Sequence, residues 1–187
     1  MLSQVHDSVG ESAARIRVLY INPNSSLHFT KEGADFLRAR GVPTDVRVDF
    51  YTAPSEGPAS IDGEHDGVLS TALILRDLQL TSRDVSERSA TISDEYDGVV
   101  IGCMSPHPLR GALRECLPPS KKLGTAPPVL GIFDAGVSTA LLLGQAFSIV
   151  TTTAGELSSG VAFSRQLADM PLKDGSQCSK RACERSA

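Results

Sequence analysis

Residues 98–115 read GVVIGCMSPHPLRGALRE. Val99, Val100 and Ile101 make a short β-branched run between Gly98 and Gly102, the pattern of a strand buried on both faces of a parallel sheet. Cys103 follows at once. Ser105 or Pro106 then opens a helix with Leu109, Ala112 and Leu113 on one face, which places the thiol in a strand-to-helix turn. In an open α/β sheet such turns lie outside the carboxyl ends of the strands, and the helix amino termini that face them stabilise a thiolate. A free cysteine elsewhere acts as a small buried hydrophobe. The turn, more than the residue type, makes Cys103 a candidate for acid/base work.

Upstream, residues 16–21 form a first strand that runs into Asn22, Pro23, Asn24, Ser25 and Ser26, a turn with helix-capping chemistry. The helix that follows covers Leu27–Arg40 and stops at Gly41. This turn offers side-chain amides, hydroxyls and free N–H groups to a carboxylate or another small anion, while each of Asn24, Ser25 and Ser26 also fits a plain capping role. Residues 44–51 alternate Val46, Val48 and Phe50 with Asp45, Arg47 and Asp49, as in an edge strand with one face in water. Residues 53–67 are too rich in Pro and Gly for regular structure, and helical spacing returns over 68–80. The polar run 81–93 reads as an exposed connection or an extra helical turn.

Downstream of residue 117 a Lys/Pro/Gly break over 118–128 divides the fold. A strand is expected at 129–133, a helix at 135–143 ending at Gly144, a strand at 147–150 and a last helix at 157–170. Thr151, Thr152 and Thr153 at a strand end echo the Asn22 turn, and they also fit a role in completing the strand and capping the next helix. Residues 1–14 and 171–187 are polar and read as disordered tails around a domain at 15–170. Its first lobe is expected at about 15–117 and a partial second lobe at about 128–170.

The whole is an α/β fold with a mostly parallel sheet flanked by helices. With 18 Lys plus Arg against 22 Asp plus Glu and no basic block, nucleic acid is not an expected partner. No run reaches the length of a bilayer span and no secretory leader is evident, so the expectation is a cytoplasmic protein away from membranes. Cys103, Cys116, Cys178 and Cys183 lack metal-ligand spacing. Reduced thiols and no metal are expected.

Four segments together resemble the aspartate/glutamate/hydantoin racemase superfamily, nearest its hydantoin-racemase-like branch: INPNS at 21–25, GPASI at 57–61, GCMSPHP at 102–108, and GIFDA at 131–135 with FSIVTT at 147–152. The resemblance implies a cofactor-independent racemase of amino acids or derivatives such as hydantoins. Its two pseudo-symmetric lobes would each contribute one cysteine to a cleft. By position Cys103 matches the first-lobe catalytic cysteine, and Asn24, Ser105, Thr151 and Thr152 match turns that line the substrate cleft. Met104 and Ser105 stand where amino-acid racemases of the group often carry Asn-Thr, which favours a hydantoin-like or other ligand. Family members continue to a second Gly-Cys turn, and this chain is expected to end before it, with the second lobe incomplete. A small-molecule substrate is implied, with homo-oligomerisation left open. Two rivals stand beside this reading: a hydrolase with Cys103 as nucleophile and His107 as base, and a non-catalytic remnant that binds a small anion or a protein partner.

Overall fold

The computed structural model describes residue 2 and residues 4–144. Five strands, β1 (Val5–Val9), β2 (Ile16–Asn22), β3 (Val46–Thr52), β4 (Gly98–Ile101) and β5 (Val129–Gly131), form one sheet in the order β1-β3-β2-β4-β5. All neighbours run parallel except β1, which pairs antiparallel with β3. The helices are α1 (Leu27–Arg40), α2 (Glu64–Asp77), α3 (Thr91–Glu95), α4 (Pro108–Cys116) and α5 (Ile132–Leu143).

Period-two alternation sorts the side chains of β2 and β4 onto two faces. Leu19, Ile21, Val99 and Ile101 point into the larger core with Ile74 of α2 and Leu109 and Leu113 of α4. Each is almost fully buried, a contribution of about 2 kcal/mol per side chain. On the other face Val9, Val48 and Phe50 pack with Ala34 of α1, and Val18 and Tyr20 lie against them. The sheet is therefore held between helices, and the β2 and β4 turns emerge together at its carboxyl edge.

Helix α1 has the expected bounds: Gly41 takes φ 76°, and its N–H donates to Leu37 O at 2.8 Å. Elsewhere the expectations need correction. Residues 5–9 are not part of a loose tail; they form β1, because β3 offers them a hydrogen-bonding edge, on which they pair with a register shift between Val5 and Asp7. That pairing also moves β3 off the edge of the sheet. Its polar alternation reflects a buried ion network, since Asp49 is 1% exposed and accepts from Ser8 Oγ, Arg17 Nη2 and Arg47 Nε at 2.7–2.8 Å. Helix α2 begins at Glu64, four residues before the expected start, and α4 begins at Pro108 because His107 takes the capping position. Ile132 and Phe133 are helical, so β5 is only three residues long. The polar run holds a 3₁₀ turn at Val85–Glu87 and the start of α3. Among the described residues no helix is long and apolar enough to cross a membrane. The strand expected at 147–150, the helix at 157–170, the carboxyl-terminal tail, Cys178 and Cys183 lie outside the described residues, as does most of the expected second lobe.

Candidate functional site

Gly102 N–H donates to Ile21 O at 2.8 Å and extends the β2/β4 pairing past the strand end. The Asn22 turn and the Cys103 turn are therefore neighbours. Asn22 is buried and organises its own turn: its Nδ2 lies 3.0–3.1 Å from Asn24 Oδ1, Ser26 O and Thr30 Oγ1, and its Oδ1 accepts from Asn24 N at 3.1 Å. Asn24 Oδ1 also accepts from Ser26 N at 3.0 Å. The carbonyl side of Asn24 is thus occupied, and its NH₂ group, which has no partner among the described residues, is the donor left for a ligand. Ser25 is a strut instead: its hydroxyl donates to Gly57 O and its N–H to Pro58 O, tying the turn to the long loop before α2. Ser70 of α2 fixes the same turn through Pro23 O.

Cys103 is half-buried, with Sγ 3.1 Å from Ser105 Oγ. A hydroxyl at that distance can donate to a thiolate or accept from a thiol, as a group that cycles between the two requires. Behind them stands Tyr20, which the sequence reading passed over. A Cβ on residue 102 would lie 2.1 Å from Tyr20 Oη and 2.2 Å from Tyr20 Cζ, so the phenol ring occupies the space that glycine leaves open. The ring packs on Phe50 with centroids 5.0 Å apart. Burial first, and then the charge of nearby Cys103, raise the phenol's pKa above its ordinary value. Tyr20 therefore keeps its proton, and its hydroxyl has no partner among the described residues.

His107 is not placed to serve Cys103 as a base. Its Nδ1 accepts from Leu109 N at 3.2 Å and caps α4, so the proton sits on Nε2. Nε2 is buried without a partner, next to Gly67 of α2. Burial lowers the imidazole pKa to about 4, against an ordinary value of 6.5. Between pH 6.5 and 4 the unfolded chain binds a proton that the folded chain excludes, so stability is complete above that window and falls as pH drops through it, by at most about 3 kcal/mol. His107→Asn keeps a capping side chain and removes the titration. Urea titrations at pH 7 and pH 4.5 should show a loss in the parent that the variant lacks; equal losses in both would contradict this.

Of the residues named from sequence, Asn24, Cys103 and Ser105 come to one edge of the sheet, while Thr151 and Thr152 lie outside the described residues. Asn22 carried a local signal, a strand ending directly in Asn-Pro-Asn. Tyr20 carried none, because its role depends on Gly102, just past the end of another strand. Among the described residues no cluster of three metal-ligating side chains occurs.

A family model described as Asp/Glu/Hydantoin racemase matches residues 18–186. An uncharacterized protein of Schizosaccharomyces pombe is 34% identical over 138 residues, which is 74% of this chain and 50% of that protein. A hydantoin racemase of Paenarthrobacter aurescens is 29% identical over 136 residues, 73% of this chain and 49% of the enzyme. Among solved structures, the allantoin racemase from Klebsiella pneumoniae aligns with a TM-score of 0.63 and 27% identity, covering 82% of this chain and 54% of that one. The chain spans about half the length of the curated relatives it matches.

Proposed function

The chain belongs to the Asp/Glu/hydantoin racemase family, and on that premise we propose that it inverts the stereocentre of a small hydantoin-like compound, with Cys103 as one of the two proton-transferring groups. The observation that carries this reading is that Cys103, with Ser105 Oγ on its sulfur, and Asn24, with its NH₂ unpartnered among the described residues, lie in turns at adjoining strand ends. A thiolate at Cys103 takes the proton from the carbon next to the ligand carbonyl. Electron density then moves onto the carbonyl oxygen, where a preorganised donor lowers the barrier most. The Asn24 NH₂ is such a donor, and the Tyr20 hydroxyl is a second candidate. Ser105 gives the sulfur a hydrogen-bond partner in both of its protonation states. Inversion also requires a proton delivered to the opposite face by a second group.

The hydrolase reading loses its base, because the His107 nitrogen that could accept a proton is committed to the α4 cap. The test is the optical rotation of one enantiomer of 5-benzylhydantoin at neutral pH. Decay faster than in buffer, to zero rotation and without ring opening, is expected; rotation that persists at the buffer rate, or loss of the ring, would refute the reading.

A further inference from the structure

A cavity of about 220 Å³ lies beside the Cys103 turn, lined by Pro106, His107, Pro108, Arg110, Gly111 and Asp134. Its walls come from the first turns of α4 and α5. Pro106 and Pro108 have no N–H to offer, and the one accepting nitrogen of His107 is already bonded. Arg110 and Asp134 supply the chemistry. Arg110 Nε lies 3.1 Å from Asp134 Oδ2, with the two side chains 24% and 31% exposed. That single contact leaves both Arg110 Nη groups and Asp134 Oδ1 without partners among the described residues.

The carboxylate folds back over a glycine: a Cβ on residue 131 would lie 2.5 Å from Asp134 Oδ2, so a side chain there would push the carboxylate from its present position against the guanidinium. What remains is a donor edge next to an acceptor edge on a pair with no net charge. A bare anion entering the cavity would meet Asp134, and a bare cation would meet Arg110. A neutral group carrying an N–H beside a C=O satisfies both at once.

We propose that this cavity binds the N–H/C=O edge of a cyclic ureide or imide, with Asp134 accepting from the ring N–H and Arg110 donating to the adjacent carbonyl oxygen. The choice of a hydantoin as the ligand rests on the function proposed above; the recognition geometry does not require turnover. Binding of 5-benzylhydantoin and of its 1,3-dimethyl derivative, which has no ring N–H, is measured by calorimetry on the full chain, on Asp134→Asn and on Arg110→Lys. Loss of one charge-assisted hydrogen bond corresponds to about tenfold in affinity. The parent hydantoin should bind the unaltered protein about tenfold more tightly than the dimethyl compound, and Asp134→Asn, whose neutral amide oxygen accepts a weaker bond, should shrink that preference. Arg110→Lys, which keeps the charge and the stem but not the fork, should weaken both ligands. Absence of hydantoin binding, equal affinity for the two ligands, or a preference undiminished in Asp134→Asn would overturn the proposal. Binding with the expected preference but without racemisation would uphold this site while removing the racemase reading; racemisation with a preference indifferent to Asp134 would do the reverse.

Discussion

Cys103→Ser is expected to lower the racemisation rate of 5-benzylhydantoin by about 10²–10⁴-fold, the range for loss of a positioned acid/base group. A serine hydroxyl is nearly the size of the thiol but holds its proton far more tightly at neutral pH, so the geometry survives and the base does not. The substitution is expected to leave the fold alone, because the sulfur is only half-buried and its polar partner Ser105 can hydrogen-bond to a hydroxyl equally well. The far-ultraviolet circular dichroism spectrum and urea midpoint of the variant should therefore match those of the parent. An active Cys103→Ser protein would remove the thiol from the mechanism. Cys116, the other described cysteine, is the last residue of α4 and packs against the core, so Cys116→Ser serves as a control with unchanged turnover.

Asp49→Ala is expected to lower stability by about 3–5 kcal/mol, the cost of leaving buried charges without their partner. Asp49 ties four parts of the chain together. It accepts from Ser8 of β1, Arg17 of β2 and Arg47 of β3, and from Tyr96 Oη at 3.2 Å, while the Arg17 guanidinium lies 4.8 Å from the Tyr96 ring centroid. Burial alone would raise the Asp49 pKa; the hydrogen bonds from Arg17, Ser8 and Arg47 outweigh it and hold the carboxyl below its ordinary value. Because the folded value is the lower one, the contribution is present in full above the unfolded carboxylate pKa and is lost only as pH falls through the folded value, below about 4. The acid losses due to His107 and Asp49 thus occupy successive windows. Urea titration at pH 7 checks the substitution, and a loss under 1 kcal/mol would show that the network is dispensable.

What was legible in the sequence and what was not divides along physical lines. Helix α1 could be bounded because its ends are local chemistry: the Asn22–Ser26 turn before it, where the Asn24 carboxamide accepts from Ser26 N, and Gly41 in a backbone conformation that favours glycine. Strand β4 was equally plain, a β-branched run between glycines with a thiol just beyond. Strand β1 was not, since VHDSV has two apolar residues in five and is held by partners distant in sequence, Asp49 for Ser8, 41 residues on, and the β3 backbone on either side of a register shift. The polar side chains of β3 misled for the same reason: alternation does not tell a face in water from a face buried on its own counter-ions. At the candidate site, Asn24, Cys103 and Ser105 could be named because each belongs to a strand-end turn. Tyr20 could not, because the space its ring fills is left by Gly102 at the end of another strand, nor could the Arg110–Asp134 pair, because it joins two helices that only the fold brings together.

The most direct test of Cys103 as a proton carrier is deuterium incorporation at C5 of 5-benzylhydantoin in D₂O, followed by proton NMR for the unaltered protein and Cys103→Ser side by side. The account predicts loss of the C5 proton signal in step with the loss of optical rotation for the first, and incorporation at the buffer rate for the second. Incorporation at the buffer rate with both proteins, or at equal enzymatic rates with both, would contradict it.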